Sequence, residues 1–231
     1  MKTESFDAIY HRALERKGSD KMLMTLIGPT KDQKSYLNKT DSQFLEEFTK
    51  KVFQSGFVWR VVEQKWDGFR EVFFDFDIEK VLLMPPDMVE RKAQDERIIR
   101  NYKKVQTIQE NALMINSAKQ THGGFAQLVE ALANENVITL WQYLKKHGAR
   151  LGGNTGPYAL RALGVDTFLL TRDIEGYMRA QQVIDGGLTS KKSLQAIQAY
   201  YDRLQAESGW SYQALNRLIA YSFGDNVVGI Q

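Results

Sequence analysis

The sequence predicts an all-α fold in one compact domain spanning residues 1–231, and three observations predict it. Apolar residues recur at helical spacing in nearly every segment. Ser, Thr, Asp or Asn stands where those segments would begin. Four prolines and short connections leave no long linker and argue against separable modules.

The elements follow in order. Residues 4–17 read as a short amphipathic helix, and Gly28-Pro29 marks a loop. Thr40-Asp41-Ser42 caps a helix to about Gly56, whose apolar stripe is Phe44, Leu45, Phe48, Val52 and Phe53. Another helix runs from about Val58 to Phe69. Asp77 caps a helix carrying Val81, Leu82 and Met84; Pro85-Pro86 stops it, and Asp87 opens a second, highly charged helix. Ile98-Ile99-Arg100-Asn101 leads into a third, with Val105, Ile108 and Ala112 on one face. Gly123-Gly124 breaks the chain before Leu128, Val129 and Leu132, and a turn separates these from Leu140, Trp141 and Leu144. A glycine-rich turn at 151–157 divides a helix ending near Lys146 from one starting at Tyr158. Two more helices, around 189–207 and 211–222, close the chain.

Composition excludes several classes of function. The chain has no cysteine, which removes disulfides, thiolate metal sites and cysteine nucleophiles and suits a reducing, cytoplasmic setting. Hydrophobic residues at 43% and charged residues at 26% are ordinary for a globular protein. Neither a membrane-length apolar run nor the apolar core of a signal peptide occurs, so no membrane partner is expected. The net charge of +3 is too small to diagnose nucleic-acid binding, so local clusters must carry that argument. There is no phosphate-binding P-loop, dinucleotide fingerprint or His-Glu-x-x-His helix. The three histidines, His11, His122 and His147, are too scattered for a metal site.

The turn Leu151-Gly152-Gly153-Asn154-Thr155-Gly156-Pro157 is the first candidate site. Two helices joined by a tight glycine-bearing turn, here at about 138–164, form a helix-hairpin-helix that can offer backbone N–H groups to a DNA phosphate. Glycine permits close approach and positive φ. Lys145, Lys146, Arg150 and Arg161 flank the turn with positive charge. The alternative is an ordinary turn between antiparallel helices.

The segment 73–111 carries a resemblance to a known family. Phe76-Asp77, Lys80-Val81, Val89-Glu90-Arg91, Ile98-Ile99-Arg100, Lys104 and Asn111-Ala112 follow in order the pattern of the DNA-3-methyladenine glycosylase I family. The run 151–164 similarly resembles the hairpin of the helix-hairpin-helix glycosylase superfamily, with Asn154-Thr155 in place of a single apolar residue. The resemblance covers roughly residues 6–11 and 41–175. It implies a helix-hairpin-helix DNA glycosylase-like fold, and with no cysteine in the chain a metal-free, cofactor-free monomer is expected. Such an enzyme flips an alkylated purine out of double-stranded DNA and hydrolyses its N-glycosidic bond. It would act in base-excision repair in the cytoplasm, at the nucleoid. A non-catalytic DNA-binding relative and a glycosylase for another damaged base remain open.

Site residues transfer position by position. Trp59, in Ser55-Gly56-Phe57-Val58-Trp59, matches the family tryptophan that stacks on the base; Tyr10, in Ile9-Tyr10-His11, matches a tyrosine of the same pocket. Phe53 and Trp66 are further candidates for its lining, although periodicity places them equally well in the core. The family glutamate that hydrogen-bonds the methylated adenine lies eight residues before the tryptophan, where this chain has Lys51. A lysine cannot accept those hydrogen bonds and repels a cationic base. Glu47, one turn earlier on the same face, is a substitute carboxylate if the pocket is rearranged. Lys51 as a Schiff-base nucleophile is a further alternative. The superfamily's catalytic aspartate falls on Thr171; Asp173 is the nearest carboxylate, or else caps the next helix at 174–180. The family also ties its termini with zinc held by two cysteines and two histidines. His11 matches one histidine, but the cysteines have no counterpart here.

Overall fold

A computed structural model describes residues 4–29 and 34–224, and the described residues hold fourteen α-helices and no strand. The chain begins with α1 (Phe6–Lys17) and α2 (Asp20–Ile27). There follow α3 (Asp41–Gln54), α4 (Trp59–Gln64), α5 (Trp66–Val72), α6 (Ile78–Leu82), α7 (Pro86–Lys92) and α8 (Tyr102–His122). Next come α9 (Phe125–Glu135), α10 (Val137–His147) and α11 (Thr155–Leu163). The chain closes with α12 (Arg172–Ala180), α13 (Lys191–Ser208) and α14 (Tyr212–Ser222). None of the described helices is long and apolar enough to cross a membrane.

The chain divides into two compact units, one of residues 35–163 and one of residues 1–34 with 164–231. In the first, α3 and α8 are the central pair. Phe44 and Phe48 of α3 meet Phe125 of α9 edge-on, at 5.1 and 5.6 Å between ring centroids. Around them Val105, Ile108, Ala112 and Ile115 of α8 are buried, which is the stripe their spacing predicts. Thr40 and Gln43 form a full capping box at the start of α3, and Asp77 caps α6 by accepting from the Lys80 amide at 3.0 Å. The helix expected at 58–69 is two helices: Lys65 adopts non-helical angles between α4 and α5, and Trp66 turns inward to stack on Phe69 at 5.0 Å.

In the second unit, α1 packs on α14 and arginine side chains of α1 reach the end of α14. Arg12 Nε donates to the Ser222 carbonyl at 3.1 Å and Arg16 Nε to the Tyr221 carbonyl at 3.2 Å. These are last-turn carbonyls without an intrahelical partner, and a cation there is also favoured by the helix dipole. The Arg12 guanidinium additionally pairs with Glu4, and that hydrogen bond holds the Glu4 carboxyl below its ordinary value. A short helix at Asp20–Ile27, capped by Ser19, occupies a stretch where the sequence pattern predicts only a loop at its end. The extended run before α12 is tied down by Asn216, which accepts from the Leu169 amide at 3.2 Å and donates to the Leu169 carbonyl at 3.0 Å.

Candidate functional site

The end of α3, the start of α4 and the turn before α11 enclose a cavity of about 320 Å³ lined by Lys51, Gln54, Ser55, Trp59, Gly152, Gly153, Asn154, Thr155 and Tyr158. The chain folds this way because α3 stops at Gln54 and Gly56 takes φ +99°, a conformation glycine adopts without strain. Val58 is extended, so Trp59 starts α4 at the mouth of the cavity. Its indole is 51% exposed and meets the half-buried Tyr158 ring edge-to-face, 6.1 Å between centroids. A tryptophan left this exposed beside a cavity, with a second aromatic ring set edge-on to it, offers a face on which a planar ligand can stack.

The polar wall of the cavity is a chain of fixed contacts. Lys50 pairs with Glu63 at 2.7 Å, and Glu63 also accepts from Gln54 Nε2 at 2.9 Å. That turns Gln54 Oε1 toward Lys51, whose Nζ donates to it at 2.9 Å and pairs with Glu47 at 3.2 Å. The same ammonium lies 5.3 Å from the centre of the Trp59 ring, within cation–π range. Two lysines and two glutamates cancel in net charge. The charged member that lines the cavity, however, is Lys51.

Both walls are braced from α8. Lys104, almost fully buried, donates from Nζ to the Val52, Phe53 and Ser55 carbonyls at 2.7, 3.3 and 2.5 Å. These are carbonyls at the end of α3 that the helix itself leaves unsatisfied. Burial, and secondarily the charge of Arg150, pull the Lys104 ammonium below the ordinary lysine value, while the three carbonyls favour the charged form. Two turns further along, the fully buried Asn111 clasps Ala149, accepting from its amide at 2.8 Å and donating to its carbonyl at 3.2 Å. The next residue, Arg150, sits at φ +57°, a costly conformation that this clasp helps to hold. Residues seven apart share a helix face, so one helix fixes the Lys51–Ser55 wall and the hairpin wall together.

The hairpin follows the spacing read from the sequence, with α11 starting at Thr155 rather than Tyr158. The Asn154 carbonyl accepts the Tyr158 amide at 2.9 Å and so begins the helix earlier. Gly153 is exposed at φ +61°, free of the Cβ that such angles disfavour. Gly156 is buried, and its amide donates to the Leu151 carbonyl at 3.1 Å. The Thr155 amide is also taken, by the Gly152 carbonyl at 3.3 Å, and Pro157 has no N–H. Lys145, Lys146 and Arg150 are exposed around the turn.

The remaining sequence-derived candidates are not among the residues that line this cavity. Phe53 is fully buried against Phe69, 4.6 Å between centroids, because two residues of helix carry it to the face opposite Lys51. Glu47 stands behind Lys51, outside the lining. Tyr10 and Asp173 belong to the other unit. The Tyr10 hydroxyl donates to Asp20 and its ring meets Trp210 edge-on at 6.0 Å. Thr171, not Asp173, caps α12, its hydroxyl accepting from the Ile174 amide; Asp173 sits in the first helical turn. Gln54, Ser55 and Tyr158 line the cavity without having stood out in the sequence. Gln54 is the one with a signal: it lies three residues after Lys51, on the same face. The zinc staple does not fit this chain. No thiolate exists, and among the described residues no cluster of three or more His, Asp or Glu side chains is placed to hold a metal ion. Arginine contacts hold α1 to the end of α14 instead.

Comparison with known proteins bears on this arrangement. The family profile "Methyladenine glycosylase" matches residues 34–164, more than half of the 231-residue chain. DNA-3-methyladenine glycosylase 1 of Escherichia coli (strain K12) is 36% identical over 81 residues, which are 35% of this chain and 43% of that protein. The matched stretch thus spans less than half of the length of that curated relative. The crystal structure of the Methanocaldococcus jannaschii 8-oxoguanine glycosylase/lyase in complex with DNA containing 8-oxoguanine aligns with a TM-score of 0.51 at 18% identity, covering 93% of this chain and 96% of that one. A crystal structure of 3-methyladenine DNA glycosylase I is 26% identical, covering 54% of this chain and 79% of its own, with a TM-score of 0.48. The all-α architecture of this chain is shared with that 8-oxoguanine glycosylase/lyase.

Proposed function

The chain belongs to the methyladenine glycosylase family, and from that premise we propose that it is a DNA base-excision glycosylase. It flips a damaged purine of the alkylated class out of duplex DNA, stacks it on Trp59 and hydrolyses its N-glycosidic bond. The observation that carries this reading is Trp59 itself: half-exposed, edge-on to Tyr158, at the mouth of a cavity whose far wall is the hairpin turn. Extruding a base costs a few kcal/mol of lost stacking and pairing, and an aromatic platform restores part of it, about 1–3 kcal/mol per base.

The supporting parts have separate tasks. The hairpin positions the duplex by its backbone: exposed Gly153 allows close approach of a phosphate, and Lys145, Lys146 and Arg150 supply charge without reading sequence. Glu47, held against Lys51 at 3.2 Å, serves to orient that lysine. The bond that breaks is C1′–N9; a water hydroxyl ends on C1′, and the remaining proton of that water ends on the freed base when the lesion is neutral and in solvent when the lesion is cationic.

Release of free base from a duplex bearing a single alkylated purine tests this reading. We expect release by the wild-type chain and a loss of about ten- to one-hundredfold in Trp59→Ala, with the melting temperature unchanged because the indole is half-exposed. Binding without release, unaffected by Trp59→Ala, would instead support a non-catalytic DNA-binding relative.

A further inference from the structure

We propose that Lys51 is the base reader of this cavity. In this role it selects neutral purine lesions that present an O6 carbonyl and N7 as hydrogen-bond acceptors, over cationic bases such as 3-methyladenine. The proposal rests on the excision reading above and assigns that site its substrate class.

The geometry points to Lys51 in three ways. First, its side chain is 13% exposed and forms part of the cavity lining, whereas its counter-ion Glu47 is not among the lining residues. A ligand in the cavity therefore meets the Lys51 side chain and not that of Glu47. Second, the ammonium has three N–H donors. Gln54 takes one in a hydrogen bond, Glu47 faces the ammonium at 3.2 Å as its ion partner without accepting a hydrogen bond, and among the described residues no other protein group accepts from it. Third, its position is fixed. Glu63 accepts from the Gln54 amide nitrogen, so Gln54 must present its oxygen to Lys51, and Lys50 anchors Glu63 in turn. The ammonium stands over the Trp59 ring, 5.3 Å from its centre, so a base that stacks on the indole shares the cavity with this donor.

The chemistry of departure gives this donor a catalytic use. When a neutral purine leaves, the electron pair of the C1′–N9 bond passes to the ring and negative charge gathers on N7 and O6. An N–H from Lys51 stabilises that charge more in the transition state than in the bound state. Water supplies the hydroxyl that ends on C1′ and the proton that ends on the free base, so Lys51 is unchanged at the close. A cationic methylated purine leaves as a neutral base, gains nothing from the donor and is repelled by it. A lysine donating to O6 and N7 is also a common way for proteins to recognise guanine-type edges.

The test is single-turnover base release from otherwise identical duplexes holding hypoxanthine, N2-methylguanine or 3-methyladenine, each rate divided by the spontaneous rate of that lesion. The wild-type chain should favour the two neutral purines by about tenfold or more. Lys51→Gln should erase the preference and Lys51→Glu should reverse it, with folding of each checked by circular dichroism. A wild-type preference for 3-methyladenine, or a preference unchanged in both folded variants, would overturn the proposal. So would a borohydride-trapped protein–DNA adduct that Lys51→Gln abolishes, because Lys51 would then be a nucleophile. If no duplex releases base, the excision reading fails, and the reader role is decided by binding. Duplexes with 2′-fluoro versions of the same lesions should then bind with the same order of preference, and Lys51→Gln should remove it. Equal affinities would overturn it.

Discussion

Lys104→Met is expected to cost about 3 kcal/mol of unfolding free energy, because it strips a charged donor from three buried carbonyls while the methionine fills most of the volume. The carbonyls of Val52, Phe53 and Ser55 close the C-terminal end of α3, and water cannot replace Lys104 in a site this buried. The consequence extends beyond stability. With the brace gone, the Lys51–Ser55 wall loses its fixed relation to α8, and cavity function should fall more steeply than the folded fraction does. Urea titration of the variant, followed by base release under conditions where it is fully folded, measures both effects. A loss below about 1 kcal/mol would mean that those carbonyls find other donors and that Lys104 does not set the wall.

Gly156→Val should be of similar size, roughly 3 kcal/mol, and its cause is internal. A Cβ at this position would lie 2.5 Å from the Leu151 carbonyl oxygen and 3.2 Å from Leu144 Cδ1, one a backbone atom and the other a buried side chain. Neither moves without disturbing the turn. The glycine therefore serves the packing of the hairpin rather than the approach of a phosphate. Exposed Lys145 and Lys146 provide the contrast. Changing either to Ala should leave the melting temperature alone and reduce the salt dependence of DNA binding by about one unit of slope for each phosphate that is no longer neutralised. Calorimetry and duplex titrations at several salt concentrations separate the two roles. A stable Gly156→Val that binds DNA poorly would reverse this assignment.

Much of the fold was legible because the α3 and α8 stripes are regular and their caps are strong: Thr40 with Gln43, Asp77, and Asn101 all sit where the sequence puts them. The break at Lys65 was not legible. No glycine or proline marks it, and it arises because Trp66 is drawn into the aromatic stack with Phe69 and Phe76. In the site, Trp59, Lys51 and the hairpin glycines were legible from a family pattern and from turn chemistry. Phe53 could not be sorted by pattern alone, since an aromatic residue at helical spacing fits a core and a pocket equally well. Lys104 and Asn111 were visible as residues of the pattern, but their work was not. It consists of hydrogen bonds to backbone 49–52 and 38 residues away, and nothing local announces such partners.

The stacking of an extruded base on Trp59 is the centre of this account, and fluorescence reports it directly. The chain has four tryptophans, so the quantity to measure is the difference in emission between the wild type and Trp59→Phe, on adding a duplex with one 2′-fluoro lesion or its undamaged counterpart. The Trp59 component should be quenched by the lesion duplex and much less by the undamaged one, at concentrations where both are fully bound. Equal quenching by the two duplexes, or none by either, would contradict the assignment of this cavity to a flipped base.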